Sequence, residues 1–445
     1  MRSLYHILFT ICFVASAPYY FLKMWRRGNW RRGFRQRFGR YDNKFRQALT
    51  NRHVIWMHAV SVGEVNVCTE FIRALEPRLP NVKIVVSTTT STGMGELQRR
   101  LPHHIEKIYY PIDYRPCVHR AVSEIYPEAV VLVEAEIWPN FIWRLRDKNI
   151  PVFLVNARLS DRSYRRYRRF GFVFRGLFAT FSGVGAQNEA DAARLRELGC
   201  RSEAVHVVGS LKFDAADLDA RSWLNVPALL QQLGVPKEAR VLVGGSTHPG
   251  EEALLAQLFQ RLRHRFPDLF LVLVPRHFER GKEVGRELGA LGVKFVYRSE
   301  VTARAQRGAG EIECLLVNTT GELRSFYERA TVIFVGKSLC GEGGQNPIEP
   351  AAFGKPIIIG PNMQNFSAIA DAFIRQRGAV QVRDAAGLEA AVSDLLADEV
   401  LRAEIGRNAL RVVQENRGAV SRTVDMIVKG LAGAELYVAP GPSIK

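Results

Sequence analysis

Apolar residues recur with two different periods along most of the chain. Short apolar runs rich in β-branched residues are separated by longer segments with helical spacing, as at Val67, Phe71, Ile72 and Leu75. This pattern predicts strands alternating with helices, and therefore a parallel sheet covered by helices on both faces. In the first half of the chain the predicted strands are 53–60, 82–90, 108–110, 129–136, 152–157, 183–187 and 205–209.

The alternation weakens in a polar, proline-containing segment at 214–237 and then begins again. The strands predicted beyond it are 240–244, 269–274, 293–297, 314–317, 331–335, 356–359 and 379–382. The sequence thus predicts an α/β protein of two doubly wound domains, a class that binds ligands beyond the carboxyl ends of its strands. The predicted parts are a membrane anchor at 1–25, an N-terminal domain at 26–213, a linker at 214–237, a C-terminal domain at 238–418, and a C-terminal helix at 419–445 that can pack back on the N-terminal domain.

The N-terminal segment 4–24 is mostly apolar and roughly long enough to cross or enter a bilayer. The run 15–17 resembles a signal-peptidase site, so a cleaved signal peptide is the alternative. Eight positive charges and no acidic residue follow at 23–40, which predicts a signal anchor with the body of the protein in the cytoplasm. Cys12 and Pro18 leave open a helix that enters only one leaflet.

The net charge of +18 favours anionic partners. Arginines alternate with aromatic residues at 25–38, beside the predicted anchor, and this position favours an anionic lipid surface over nucleic acid. A second arginine-rich and aromatic segment at 158–175 suits an anionic, amphiphilic substrate. The six cysteines are widely spaced, which indicates free thiols and gives no support for a metal cluster.

The glycine-rich segment 341–350 lies between two predicted strands and indicates a nucleotide half-site. Its glycines would let the backbone approach a ligand, Pro347 suits the first turn of a helix, and that helix would offer free N–H groups to a phosphate. Glu349 could accept hydrogen bonds from a ribose. A buried turn between two strands is the structural alternative.

Three charged residues follow predicted strands of the first half. Glu64 is placed as a general base, although an acidic residue there can also simply complement a helix dipole. Glu134, with Glu136 two residues later, suggests a functional carboxylate or one half of an ion pair. Lys212 could neutralise the charge of a leaving group or be an ordinary surface lysine.

In the second half, the turn at 244–252, Arg276 after the next strand, and the helix start at 320–323 all follow strands of one predicted sheet. Their convergence with 341–350 indicates a single ligand site. The sequence contains no zinc-protease or serine-hydrolase motif.

Six motifs occur in one order, with sequences HAVSVGE (58–64), EAEIWPN (134–140), GSLKFD (209–214), GGSTH (244–248), PRH (275–277) and NPIEP (346–350). Together they resemble the 3-deoxy-D-manno-octulosonic acid (Kdo) transferases of Gram-negative lipopolysaccharide synthesis. The resemblance implies a GT-B glycosyltransferase of two Rossmann-like domains with an N-terminal membrane-anchor helix. It also implies inverting transfer of Kdo from CMP-Kdo to the lipid A precursor lipid IVA, without an essential metal, at the cytoplasmic face of the bacterial inner membrane.

The resemblance also assigns roles to residues. The N-terminal domain is expected to bind the acceptor, with Glu64 as catalytic base and Glu134 and Lys212 as support for the transition state. The C-terminal domain is expected to bind CMP-Kdo. The residues that match its CMP contacts are Pro275, Arg276, Gly321, Glu322, Leu323, Asn346, Pro347, Ile348 and Glu349.

Two alternatives remain at this stage. One is a GT-B protein that uses a UDP-sugar, as a transferase or an epimerase. The other is a membrane-tethered scaffold whose basic face binds acidic lipid and which binds no nucleotide.

Overall fold

The computed structural model describes residues 2–26, 31–134, 137–214, 224–302 and 306–431. The chain divides into two compact units. The first unit consists of Met1–Ala215 together with Arg417–Lys445, and the second consists of Ala216–Asn416. Of the predicted linker, 215–223 lies outside the described residues, whereas 226–232 forms a helix of the second unit.

The first unit contains a seven-stranded parallel sheet of order β3-β2-β1-β4-β5-β6-β7. Its strands are β1 (His53–His58), β2 (Val82–Thr88), β3 (Glu106–Tyr109), β4 (Ala129–Val133), β5 (Val152–Ala157), β6 (Gly183–Ala186) and β7 (Val205–Val207). Its helices before the second unit are α1 (Arg2–Arg26), α2 (Phe34–Arg37), α3 (Asn43–Leu49), α4 (Val62–Leu75), α5 (Ser91–Arg100), α6 (Arg115–Ile125), α7 (Pro139–Asp147), α8 (Asp161–Arg169), α9 (Gly171–Phe178) and α10 (Glu189–Glu197).

Successive residues of the central strands enter two different apolar layers. On β4, Val130 and Leu132 belong to the layer on one face, and Val131 and Val133 belong to the layer on the other. Side chains of a strand alternate between faces, so a strand buried on both faces needs apolar residues at every position. This requirement explains why the short continuous apolar runs in the sequence mark the strands.

The second unit repeats this architecture with a parallel sheet of order β10-β11-β9-β8-β12-β13-β14. The strands are β8 (Val241–Thr247), β9 (Phe270–Pro275), β10 (Phe295–Tyr297), β11 (Cys314–Leu316), β12 (Val332–Val335), β13 (Ile357–Ile359) and β14 (Ala379–Gln381). The helices are α11 (Val226–Gln232), α12 (Glu251–Arg263), α13 (Gly281–Ala290), α14 (Leu323–Arg329), α15 (Ile348–Ala351), α16 (Ser367–Arg375), α17 (Ala385–Ala397) and α18 (Glu399–Asn416). Each predicted strand has its counterpart, and the α/β prediction of two doubly wound domains is confirmed.

The chain returns to the first unit as α19 (Ala419–Gly430), which packs against α4 and β6. Val424 and Ile427 are buried in the apolar layer on that face of the sheet. Both carboxylate oxygens of Asp214 accept hydrogen bonds from backbone N–H groups at the start of α19, those of Gly418 and Val420. Residues 432–445, the rest of the predicted C-terminal helix, lie outside the described residues.

One face of α1 packs on the first unit. The ring of Tyr5 contacts the ring of Trp143 edge-on, with centroids 5.4 Å apart, and its hydroxyl donates to the buried carboxylate of Asp113 at 3.0 Å. Arg2 pairs with Asp147 at 2.8 Å. The opposite face exposes the apolar side chains Leu4, Ile7, Leu8, Ile11 and Val14.

In the described part of the chain, no helix combines the length and the apolar character needed to cross a membrane. Polar side chains such as His6, Thr10 and Ser16 interrupt the apolar residues of α1.

Candidate active site

Glu64 lies in the first turn of α4, as the sequence predicts, and its side chain is mostly buried. Its Oε2 accepts a hydrogen bond from the N–H of Val60 at 2.8 Å, and its Oε1 accepts one from the N–H of Ser61 at 3.3 Å. The hydroxyl of Ser61 in turn accepts from the N–H of Glu64, which completes a capping box. The carboxylate thus caps the helix and is also held in one orientation at the carboxyl end of β1.

The loop that presents Glu64 is also fixed from β2. The hydroxyls of Thr88 and Thr90 donate to the carbonyl of Val60 at 3.1 and 3.0 Å. Residue 60 is therefore held through both its N–H and its carbonyl oxygen. This support restricts movement of the carboxylate relative to the sheet, as positioned catalytic groups require.

His58, the first residue of the same motif, is fully buried at the end of β1. Its Nδ1 lies 2.9 Å from the hydroxyl of Ser87 and 3.1 Å from the carbonyl oxygen of the same residue. The ring stacks on Tyr110 with centroids 3.9 Å apart. Burial lowers the pKa of His58 to about 3, so the neutral ring acts as an internal brace between β1 and β2.

Acidification is expected to destabilise the first unit through His58. Its imidazole gains a proton near pH 6.5 when unfolded but only near pH 3 when folded, so stability is lost as the pH falls through this window. Between pH 6.5 and pH 5 the loss is about 2 kcal/mol. Urea unfolding at pH 7.5 and pH 5 should show a smaller decrease for His58→Gln than for the wild type. His206→Gln, at an exposed position of β7, is the control, and equal decreases in wild type and His58→Gln would contradict the assignment.

Glu134 and Lys212 lie close together in the first unit. The Nζ of Lys212 is 3.8 Å from Oε1 of Glu134, and both side chains are partly exposed. Asn156 links them, because its amide donates to Glu134 at 3.5 Å while its Oδ1 accepts from the N–H of Leu211 at 3.1 Å. The ion pair suggested for Glu134 therefore exists, and its partner is the other predicted residue. Glu136 and Ala135 lie outside the described residues.

Two of these positions share an unusual backbone. Glu134 has φ 59° and Asn156 has φ 53°, both in the left-handed region. Asn156 interrupts the register between β5 and β6, which turns its side chain toward the neighbouring strand ends. Such strain is often stored at functional sites. The sequence does not assign Asn156 a role, and its only signal is an asparagine at the end of an apolar strand.

In the second unit, the loops after β8 and β12 are tied together by a buried carboxylate. Glu251 accepts hydrogen bonds from the N–H groups of His248 at 2.9 Å and Lys337 at 2.7 Å, and further ones from those of Leu339 and Cys340. The sequence pattern does not single out Glu251, because three of these four partners are backbone groups almost ninety residues away. Its carboxylate fixes residues 337–340, which directly precede the glycine-rich segment.

Basic groups surround His248 at this edge of the sheet. Burial, followed by the nearby charges of Lys337, His277, Arg280 and Arg276, lowers the pKa of His248 to about 4. The ring is therefore neutral at physiological pH and accepts a hydrogen bond from the amide of Gln345 at 3.1 Å. Arg280 already pairs with Glu252 at 2.7 Å, but Arg276 and Lys337 beside a neutral hydrogen-bonding ring suit a ligand that carries negative charge.

The predicted nucleotide contacts lie at the end of β9 and after β11 and β12, three strands of this sheet. Arg276 is exposed, and its backbone N–H donates a hydrogen bond to the carbonyl of Thr247. Glu322 is buried, pairs with Arg298 at 3.0 Å and accepts from the hydroxyl of Thr319, so its carboxylate has a structural role. Because the sheet is parallel, all the predicted contacts follow its strands at the same edge. They are Pro275, Arg276, Gly321, Glu322, Leu323, Asn346, Pro347, Ile348 and Glu349.

The glycine-rich segment differs from the prediction in two details. Pro347 precedes α15 as its N-cap, and this helix has a single turn, so its dipole is small. Gly343 and Gly344 pack against the chain itself. A Cβ at residue 343 would lie 2.5 Å from the amide of Asn365, and one at residue 344 would lie 2.4 Å from the sulfur of Met363. These two glycines therefore allow the segment to pack closely on residues 362–366.

Solved structures place this architecture in a known class. A putative UDP-N-acetylglucosamine 2-epimerase from Listeria monocytogenes matches with a TM-score of 0.58 and 12% identity, covering 86% of this chain and 98% of that chain. The S. aureus MnaA–UDP co-structure matches with a TM-score of 0.52 and 16% identity, covering 86% of this chain and 97% of that chain. The fold is thus of the GT-B class, with two Rossmann-like units, as predicted.

The sequence comparisons identify the family within this class. A family model described as 3-deoxy-D-manno-octulosonic-acid transferase (kdotransferase) matches residues 32–215. The Kdo transferase of Haemophilus influenzae is 31% identical over 401 residues, covering 89% of this chain and 91% of the relative. The Kdo transferase of Bordetella pertussis is 32% identical over 437 residues, covering 94% of this chain and 98% of the relative. The chain belongs to the 3-deoxy-D-manno-octulosonic acid transferase family and is a glycosyltransferase.

Proposed function

We propose that this protein transfers Kdo from CMP-Kdo to the lipid A precursor lipid IVA in lipopolysaccharide synthesis. The observation that carries the proposal is the fixed carboxylate of Glu64 at the edge of the first sheet. Family membership supports the sugar that is transferred. The basic cluster around His248 supports an anionic donor.

The proposed reaction is a single displacement that inverts the anomeric carbon of Kdo. As an acceptor hydroxyl oxygen bonds to this carbon, its proton passes to the carboxylate of Glu64. The bond from the anomeric carbon to the phosphate oxygen breaks, and the electron pair leaves with CMP. Lys212, oriented by Glu134, supplies positive charge to support the transition state. The nine residues predicted as CMP contacts hold the donor, and no essential metal is proposed.

We place the reaction at the cytoplasmic face of the bacterial inner membrane. The arginines at 31–40 are suited to anionic headgroups, and the exposed apolar face of α1 is suited to contact with lipid. A helix that lies against the membrane surface fits both features. Nucleic acid is not a proposed partner.

The decisive experiment supplies the purified protein with lipid IVA and a CMP-Kdo generating system. The product mass is expected to exceed that of lipid IVA by one Kdo residue or by an integral number of them. UDP-sugars in place of CMP-Kdo should give no product. An unchanged acceptor mass with CMP-Kdo would refute the proposed transfer.

Thermal unfolding separates the donor assignment from the UDP-sugar alternative. A ligand that binds only the folded state stabilises it by about 2.7 kcal/mol at a hundredfold excess over Kd. CMP should therefore raise the Tm and UDP should not. Arg276→Ala should reduce the CMP effect, whereas Lys282→Ala, an exposed cation of α13, should retain it. Stabilisation by UDP alone would favour the alternative.

A further inference from the structure

A cavity of about 510 Å³ lies between α1 and the rest of the first unit. Phe9, Phe13 and Phe21 of α1 form one wall. Phe38 after α2 and Ile112 after β3 belong to the opposite wall. We call this space the α1 cavity. Its volume is that of a small-molecule site, and its lining is mostly apolar.

The surroundings of the α1 cavity are strongly basic. Arg37 is part of its lining. Phe34 separates it from a second cavity whose lining includes Arg31, Arg35 and Arg40. The one carboxylate in the lining of the α1 cavity, that of Asp113, already accepts bonds from Tyr5 and from the first turn of α7. An apolar space beside several arginines is complementary to an alkyl chain attached to an anionic headgroup.

The outer face of α1 adds an independent observation. Leu4, Ile7, Leu8 and Ile11 are exposed at spacings of three and four residues, so they form one apolar stripe. Such a stripe beside basic residues is typical of helices that lie in a membrane interface. The α1 cavity therefore lies directly beneath a surface suited to acyl chains.

The α1 cavity also adjoins the loop that carries the proposed base. Thr89 is part of its lining. The residues on either side of it, Thr88 and Thr90, donate to the carbonyl of Val60, whose N–H donates to Glu64. One amphiphile could thus have its chain in the α1 cavity and its headgroup at the edge of the sheet where Glu64 lies.

We propose that the α1 cavity binds one acyl chain of the lipid acceptor, so that α1 is part of the acceptor site. This inference rests on the proposed function for the identity of the acceptor. The proposed occupant of the α1 cavity is the acceptor and not a phospholipid of the surrounding membrane. It predicts that recognition depends on the acyl chains as well as on the sugars.

Ala17→Trp places a large side chain in the lining of the α1 cavity, and Ser16→Phe does so one residue earlier. Val14→Trp on the exposed face of α1 is the matched control. The KM for acylated acceptor should rise at least about tenfold in the cavity variants, since each excluded methylene removes transfer free energy. Their kcat/KM for a fully deacylated acceptor should stay within about twofold of the wild type. An unchanged KM for the acylated acceptor in folded cavity variants would overturn the proposal.

Photolabelling tests the α1 cavity without relying on activity. An acceptor analogue with a diazirine in mid-chain should label peptides that contain Phe9–Phe21 or Phe34–Phe38, and Ala17→Trp should reduce the labelling at least about fivefold. Excess lipid IVA should compete, and phosphatidylethanolamine vesicles should not. Equal competition by both would overturn the assignment to the acceptor. If the wild type labels as expected but forms no Kdo product, the proposed function fails while the acyl site stands.

Discussion

Replacing Glu64 with Gln is expected to lower kcat for Kdo transfer by about 10²- to 10⁴-fold, the usual contribution of a positioned general base. Gln at the third position of the helix can still complete the capping box by accepting from the N–H of Ser61, but the N–H of Val60 then loses its acceptor, so the Tm of the variant is measured together with its kcat. The amide cannot take up the acceptor proton at neutral pH. The variant therefore separates the chemical role of Glu64 from its structural one.

Two controls make this experiment decisive. Glu70→Gln removes the same charge from the same helix, where Glu70 only pairs with Arg73, and its kcat should stay within about twofold of the wild type. The Tm increase produced by CMP should be unaltered in Glu64→Gln. A folded Glu64→Gln protein with normal kcat would remove Glu64 from the mechanism.

Replacing Glu251 with Ala is expected to destabilise the second unit by about 3–5 kcal/mol, because four backbone N–H groups lose a buried acceptor. For a domain of this size the Tm should fall on the order of 10 °C. The loops after β8 and β12 lose their common support, so the CMP-induced Tm increase should also decrease. Glu251 would then be a positioning residue for the donor site.

Amide hydrogen exchange can locate the effect of this change. In Glu251→Ala, the amides of Lys337 and Leu339 should exchange much faster, whereas those of the central strand β9 should change only with global stability. Glu404→Ala, at an exposed position of α18, is the matched control and should leave Tm and exchange unaltered. Unchanged protection at residues 337 and 339 would exclude a supporting role for Glu251.

The strands could be predicted because their environment leaves a strong local signal. Strands such as β4 and β9 are buried on both faces, so every residue must be apolar and the run ends where burial ends. Glu64 and Arg276 could be located for the same reason, since Arg276 directly follows β9 and Glu64 lies in the first turn of the helix after β1. A parallel sheet then brings them to strand ends without further information.

Other parts of the site depend on contacts between distant segments. Glu251 supports residues 337–340, and the glycines at residues 343 and 344 have positive φ and pack on Asn365 and Met363. Local sequence patterns contain neither relationship. The same holds for α1, whose packing depends on Trp143 and Asp113. The apolar composition of α1 does not indicate which of its faces contacts the first unit and which is exposed.

The return of α19 to the first unit has a consequence for the order of events during synthesis. The second unit is an insertion, so about two hundred residues are made between β7 and the helix that completes the first apolar core. Until Val424 and Ile427 emerge from the ribosome, the face of the sheet beside α4 lacks part of its cover. The inserted unit has all its strands by then and can fold first. The apolar core of the first unit is thus complete only after the whole second unit has been synthesised.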